Sequence, residues 1–467
     1  MSVSSLPRPG EASSSEMGDG YLLQSEADLA KAVAYAIERS GALGAAEAIA
    51  HVSEGGGIHI AVTNGQVETA VRDGNQSLRI TVFENGRTGM ASTESLSRSA
   101  IDRVVEQAIS MSRQLEPDAD AGLADTAILA WSTPGVRLFA PSNESAETLT
   151  EAALAIEAAA LSIKTSDEVR VSEAGASSQD MRFAIATSQG FCRTGSGSIQ
   201  RRWCQTIAQR GDEMKQGSWS SADRQRTELE PAMEIGRRAA ERALAMVGAE
   251  GLTTRRCPVL VDSTVAASLV RDICTQLTGS SQFQRMTFLP DAMGQQITAG
   301  HLSMVEDPFE PFGLASAAFD DEGVAGRRRE IVREGTVAGL FLDTRMARKL
   351  GSVSTGNAGG MRNLSLTSSL TQAGDDLAAM LRKLGTGLWL TRFMGGKTNP
   401  ATGVYSQAAG GFWVENGQIV RPVLGFTVAG NLQDMFKSIA AIGADVHRAG
   451  AFRVGSILLP EMQIAGR

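Results

Sequence analysis

The sequence predicts an α+β protein in two parts: an N-terminal α+β domain of hairpins and helices, then a C-terminal β-rich, barrel-like domain. Three observations carry this. Period-two alternation flanks Asn-Gly turns, as in Leu78, Ile80 and Val82 against Arg79 and Thr81 before Asn85-Gly86. Stripes at helical spacing interrupt the strands, as in Ile101, Val104, Val105, Ala108 and Ile109. Glycine is abundant, with 50 in 467 residues, above the roughly 7% typical share, and paired glycines precede apolar runs in the C-terminal half.

Taken in order, residues 1–20 are rich in Ser, Gly, Pro and Glu and predict a disordered N-terminus. The first domain spans 21–228. Ser25, with Asp28 three residues on, caps a helix whose stripe is Leu29, Val33, Ala36 and Ile37. Hairpins follow over 58–71, turning at Asn64-Gly65, and 78–91, turning at Asn85-Gly86. Helices over 99–115 and 146–163 precede strands near 181–187 and 199–208. A helix within 229–250, with Pro231 in its first turn, connects to the second domain, 251–467.

There, strand 258–261 enters a helix over 264–277. A hairpin over 331–343 turns at Glu334-Gly335, and a short helix spans 375–384. Asn431 and Asp434 cap a last helix through Ala441, and 457–460 forms a closing strand. Between these lies the stretch Met394-Gly395-Gly396-Lys397-Thr398 through Tyr405 and Gly410-Gly411 to the turn at Asn416-Gly417. Paired glycines let another backbone approach closely. A groove for an extended peptide and a tightly curved sheet both require that, and both readings stay open. Gly396-Lys397-Thr398 imitates the end of a phosphate-binding loop, but Thr391 stands where that loop needs glycine and Asn399-Pro400 follows where it needs a helix.

Net charge −8 and a pI near 5.3 exclude broad attraction to nucleic acid or anionic membrane. The run Arg327-Arg328-Arg329, flanked by acids, reads as a solvated strand face. The four cysteines show no CxxC pair, which predicts reduced thiols. With no secretory signal and no membrane-length apolar run, the expectation is a cytoplasmic protein. None of the four histidines, His51, His59, His301 and His447, lies three or four residues from another, so HExxH is absent, as is GxSxG. Cys274, inside the apolar stripe of its helix, reads as a small buried hydrophobe. Residue chemistry alone nominates no catalytic centre.

The motifs taken together are similar to one family. Asn85-Gly86-Arg87-Thr88-Gly89-Met90, Phe288-Leu289-Pro290-Asp291, Asp321-Glu322-Gly323-Val324, Thr355-Gly356-Asn357-Ala358-Gly359-Gly360, Gly411-Phe412-Trp413-Val414-Glu415-Asn416-Gly417 and Leu459-Pro460-Glu461-Met462 resemble the TldD/TldE (PmbA) protease family, in its TldE/PmbA branch. The resemblance implies a heterodimer in which TldD carries zinc on an HExxxH helix. Here the matching helix puts Arg271 and Gln276 at the two histidine positions and Asp272 at the glutamate position. No histidine lies between His59 and His301. The implied cofactor status is therefore no metal in this chain, with zinc in a TldD-like partner subunit, and the implied substrate is a small or unfolded peptide. Thr355, Gly356, Asn357, Gly359, Gly360, Gly395, Gly396 and Tyr405 are the candidates for lining its channel. The alternative from another class is a non-catalytic peptide-binding homodimer. An independent hydrolase built from distant residues lacks any supporting motif.

Overall fold

A computed structural model describes residues 21–132 and 134–466, so the disorder expected for 1–20 lies outside the described residues. The chain begins with α1 (Glu26–Ala42), capped by Ser25, whose hydroxyl accepts the Asp28 amide at 3.1 Å. Strands β1 (Glu47–Thr63), β2 (Gln66–Glu84) and β3 (Arg87–Thr93) follow, then α2 (Arg98–Ser112), α3 (Ala146–Leu161), β4 (Glu168–Thr187), β5 (Cys192–Arg210), β6 (Glu213–Asp223) and α4 (Ala232–Leu244). The six strands form one antiparallel sheet in the order β3-β2-β1-β4-β5-β6.

Both expected hairpin turns are present, with Asn64 and Asn85 at positive φ, but one long strand, β2, serves both hairpins. Strands β4 and β5 are also longer than the alternation predicted. Buried Ser177, Ser178 and Asp180 interrupt the apolar signal in the middle of β4.

Strand parity sorts the layers. Even residues of β1 (Ala48, Ala50, Val52, Ile58, Ile60 and Val62) face the helices, α1 and α2 over one end of the sheet and α3 and α4 over the other. Odd residues face the other way, and Ile49 packs there with Phe191 and Val324 of the second half. Helix α4, read from the sequence as a connector, is amphipathic and buries Ile235, Ala239 and Ala240 against the first sheet.

The second half comprises β7 (Arg255–Val261), α5 (Ser263–Gln276), α6 (Gly279–Phe283), β8 (Leu302–Asp307), β9 (Arg329–Arg333), β10 (Thr336–Val337), α7 (Thr344–Lys349), β11 (Asn363–Ser368), α8 (Leu377–Leu384), β12 (Gly387–Thr398), β13 (Val404–Glu415), β14 (Gln418–Asn431), α9 (Leu432–Ser438), β15 (Ala441–Ile442), β16 (His447–Ala449), β17 (Phe452–Val454) and β18 (Ile457–Ala465). Strands β14-β13-β12-β7-β18 pair in that order, and β14 pairs back onto β18 through Thr427 and Ala465, closing a five-stranded barrel. A second sheet, β10-β9-β8-β11-β17-β16, packs on the same core. The α+β class and the barrel-like second half are thus both present.

Three readings change. The last helix ends at Ser438, and Ala441 opens the short strand β15 instead. The turn at Glu334-Gly335 is present, but its return strand ends after Val337 because Ala338 and Gly339 both donate back to Ile331 O and Phe341 donates to Leu277 O. Arg329 is not solvated: its guanidinium is buried against the Glu306 carboxylate at 2.6 Å.

Candidate functional site

Helix α5 starts at Asp262, whose carboxylate accepts the Thr264 amide at 3.0 Å. Its apolar stripe, Leu269, Val270, Ile273 and Cys274, is buried in the main core. Burial pushes the Cys274 thiol far up, the behaviour of an inert core cysteine. The same rotation leaves Arg271 exposed and Asp272 half-buried beside the barrel. The Arg271 guanidinium lies 5.3 Å from the centroid of the Phe452 ring. The Asp272 carboxylate accepts from the Thr398 hydroxyl at 2.5 Å. Gln276 is buried, and its Nε2 donates to Asp272 O at 3.2 Å.

Beside α5 lies a cavity of about 550 Å3, lined by Arg271, Ser280, Asp343, Asn357, Gly360 and Phe452 among others. The fold therefore brings one of the three zinc-helix positions, Arg271, to the same cavity as two of the channel candidates, Asn357 and Gly360. The other loop candidates are not among the residues lining this cavity. The Thr355 hydroxyl donates to Asn357 Oδ1 at 2.8 Å and accepts the Leu342 amide at 2.8 Å. Gly356 and Gly359 take positive φ, and a Cβ at Gly359 would meet the Asp321 carboxylate. Gly395 and Gly396 sit on the exposed end of β12, three and two residues before Thr398. Tyr405 belongs to the core instead. It is 2% exposed, its ring edge-on to Phe393 at 6.3 Å, and burial, with Asp272 nearby, drives its hydroxyl far above the usual tyrosine range.

Behind the cavity wall runs a polar network that the sequence reading missed. Arg329 Nη2 donates to Glu306 Oε2 at 2.6 Å and to Asn357 Oδ1 at 2.8 Å, while Nη1 donates to Leu340 O at 2.9 Å. Glu306 Oε1 accepts from Asn357 Nδ2 and from the Arg362 amide, both at 2.8 Å. One signal was legible: Leu302, Met304 and Glu306 occupy the same inward face of β8, so a carboxylate stands in a core slot. Its partners come from β9 and from the loop before β11, separations no local pattern reveals.

The lone histidines have local partners. His301 bonds Ser368 Oγ at 2.8 Å and Ile439 O at 2.9 Å, and His59 stacks on Trp203. Among the described residues no three His, Cys, Asp or Glu side chains cluster closely enough to hold a metal.

Three family models cover most of the chain: PmbA/TldA metallopeptidase domain 1 over residues 52–112, the central domain over 139–247 and the C-terminal domain over 254–466. The chain is 35% identical over 423 residues to metalloprotease PmbA of Escherichia coli O157:H7, covering 89% of this chain and 91% of that protein. It is 33% identical over 453 residues to a metalloprotease PmbA homolog of Haemophilus influenzae, covering 97% and 99%. A crystal structure of TldE from Thermococcus kodakarensis superposes with a TM-score of 0.80 at 18% identity, covering 94% of this chain and 100% of that one. One from Bacteroides thetaiotaomicron reaches 0.86 at 23%, covering 94% and 98%. Both structures share the fold. With these matches running nearly from end to end, the chain belongs to the TldD/PmbA metallopeptidase family.

Proposed function

We propose that this chain is the subunit of a TldD/TldE-type peptidase that binds no catalytic metal, completing a chamber around a small or unfolded peptide while a TldD-like partner supplies the zinc. The observation that carries this is the occupation of α5. Arg271 is a cation stacked on Phe452, Gln276 is an amide bound to its own helix, and Asp272 already takes the Thr398 hydroxyl. An arginine and an amide do not suit zinc, which is held by thiolate, imidazole and carboxylate. The adjoining cavity has the exposed backbone of Gly360 in its wall, held by an Asn357 side chain committed to Glu306, Arg329 and Thr355, and is the surface an extended substrate would meet in this reading. A homodimer would repeat the same ligand deficit twice, which favours a different partner over a second copy.

A cytoplasmic location is part of this proposal, supported by the four free cysteines. No helix among the described residues is long and apolar enough to cross a membrane.

Co-expression with a TldD-like subunit carrying HExxxH tests the proposal. The expected result is a complex that survives gel filtration, cleaves a disordered test peptide and loses activity to a chelator. Asp272→Asn keeps an oxygen for Thr398 and should leave cleavage nearly unchanged. Loss of cleavage by an intact Asp272→Asn complex would show that this subunit takes part in the chemistry and overturn the assignment.

A further inference from the structure

The odd-numbered face of β1, turned away from the helices, closes a second cavity of about 600 Å3 against the loop 316–321. This is within the roughly 300–1,000 Å3 range of ligand pockets. Arg79 of β2, Arg193 of β5, Arg224 after β6 and Arg362 before β11 all line it. None of the four makes an ion pair with the described residues. Arg193 Nε donates to Ala130 O at 3.1 Å, and its Nη2 to Trp131 O. Arg224 donates from Nε to Gly313 O at 3.0 Å and from Nη2 to Leu314 O at 3.1 Å. Carbonyl partners fix a guanidinium in place but leave its charge unbalanced. Arg362 Nη2 makes one bond, to Ala358 O at 3.4 Å, and its buried Nε has no partner among the described residues.

Two carboxylates line the same cavity, Asp320 and Asp321. The Asp320 carboxylate accepts the amides of Glu322 and Val324, both at 2.9 Å, and of Ala358 at 3.0 Å. Asp321 is exposed and also lines the cavity. Neutral amides leave the Asp320 charge in place, so among the described lining residues four cations face two carboxylates, a local excess of positive charge.

His51 adds the opposite chemistry. Its Nε2 lies 2.6 Å from Asp321 O, and a carbonyl only accepts, so Nε2 carries the proton. Burial lowers the ring's pKa and keeps it neutral. Nδ1 is then an acceptor, buried and without a partner among the described residues. Phe183 and Phe319, edge-on at 6.0 Å, supply an apolar wall.

We propose that this cavity binds a carboxylate-bearing peptide segment, the arginines taking the carboxylate, His51 Nδ1 a backbone N–H, and the phenylalanine wall the aliphatic part. Bidentate arginine–carboxylate contacts are among the stronger polar interactions. The site is separate from the cavity at α5; the loop 357–362 divides them, giving Asn357 and Gly360 to one and Arg362 to the other. Because the chain carries a net −8, general electrostatics would repel an acidic peptide, so attraction requires a local site.

The test uses the full chain alone, so its outcome is independent of the partner proposal. A fluorescein-labelled decapeptide of alternating Glu and Leu is titrated by anisotropy beside its Gln counterpart. The Glu peptide should bind at least about tenfold more tightly, with an affinity that falls with salt. Arg362→Met should weaken it about tenfold and Arg79→Met severalfold, leaving the Gln peptide unaffected. Arg79 is exposed, so its variant keeps the test decisive if Arg362→Met fails to fold. Equal binding of the two peptides, an unchanged affinity in a folded Arg79→Met, or displacement by sodium acetate at the peptide's own concentration would each overturn the proposal.

Discussion

Replacing Arg329 by methionine isolates the buried ion pair behind the α5 cavity. Glu306 is 1% exposed, and Arg329 is the cation paired with it, at 2.6 Å. After the substitution the Glu306 carboxylate keeps the Asn357 Nδ2 and Arg362 N–H donors but has lost its charge partner. Removing one member of such a pair costs about 3–5 kcal/mol, because the remaining charge stays buried. Leu340 O and Asn357 Oδ1 also lose a donor each, so the upper end of that range is expected. Glu306→Gln in the same chain removes the stranded charge and retains an oxygen acceptor, so the double variant should recover at least about 2 kcal/mol of the summed single losses. Urea denaturation followed by circular dichroism measures all four corners of the cycle. A cost below about 1 kcal/mol for Arg329→Met, or strictly additive losses, would refute the claim that the pair is buried and coupled.

Glu322 provides a pH test. Burial, reinforced by Asp320, raises its carboxyl to about 7 despite the Thr344 amide and hydroxyl it accepts, whereas an unfolded glutamate titrates near about 4.3. Its stabilising contribution is therefore full below about pH 4 and lost as pH rises through about 7, at most about 3–4 kcal/mol. Glu322→Gln stays neutral, so its melting temperature relative to the parent should increase between pH 5 and pH 8; parallel curves would contradict this. The glycines at the end of β12 should separate from one another. A Cβ at Gly396 would run into Ser406 O and Gln407, whereas Gly395 has open space and only a positive φ. Gly396→Val should lower the melting temperature markedly. Gly395→Val should cost about 1–3 kcal/mol of backbone strain, leave assembly intact and reduce cleavage by the reconstituted complex. The reverse ordering in thermal melts would remove the structural distinction between them.

The sequence by itself determined what local chemistry controls. The Asn-Gly turns at 64, 85 and 416 require positive φ and take it. The caps at Ser25 and Asn431 bind their helices through side-chain oxygens. The apolar stripe of α5 placed Cys274 in the core and left Arg271 outside. Ordered motifs also pointed to the family, because each short match adds to the others along the chain.

Tertiary structure alone decided the rest. Whether Arg329 meets water or Glu306 depends on how β8 and β9 pair across a turn and a loop, which no period reports. Tyr405 resembled a channel residue until barrel closure packed it behind Phe393. The length of β4 was hidden because its central serines and aspartate are buried without being apolar. Both cavities are made by residues far apart in the chain, Arg271 with Asn357 and His51 with Arg362. Periodicity reports which face of an element is buried, but not what it is buried against, and these sites consist of that second fact.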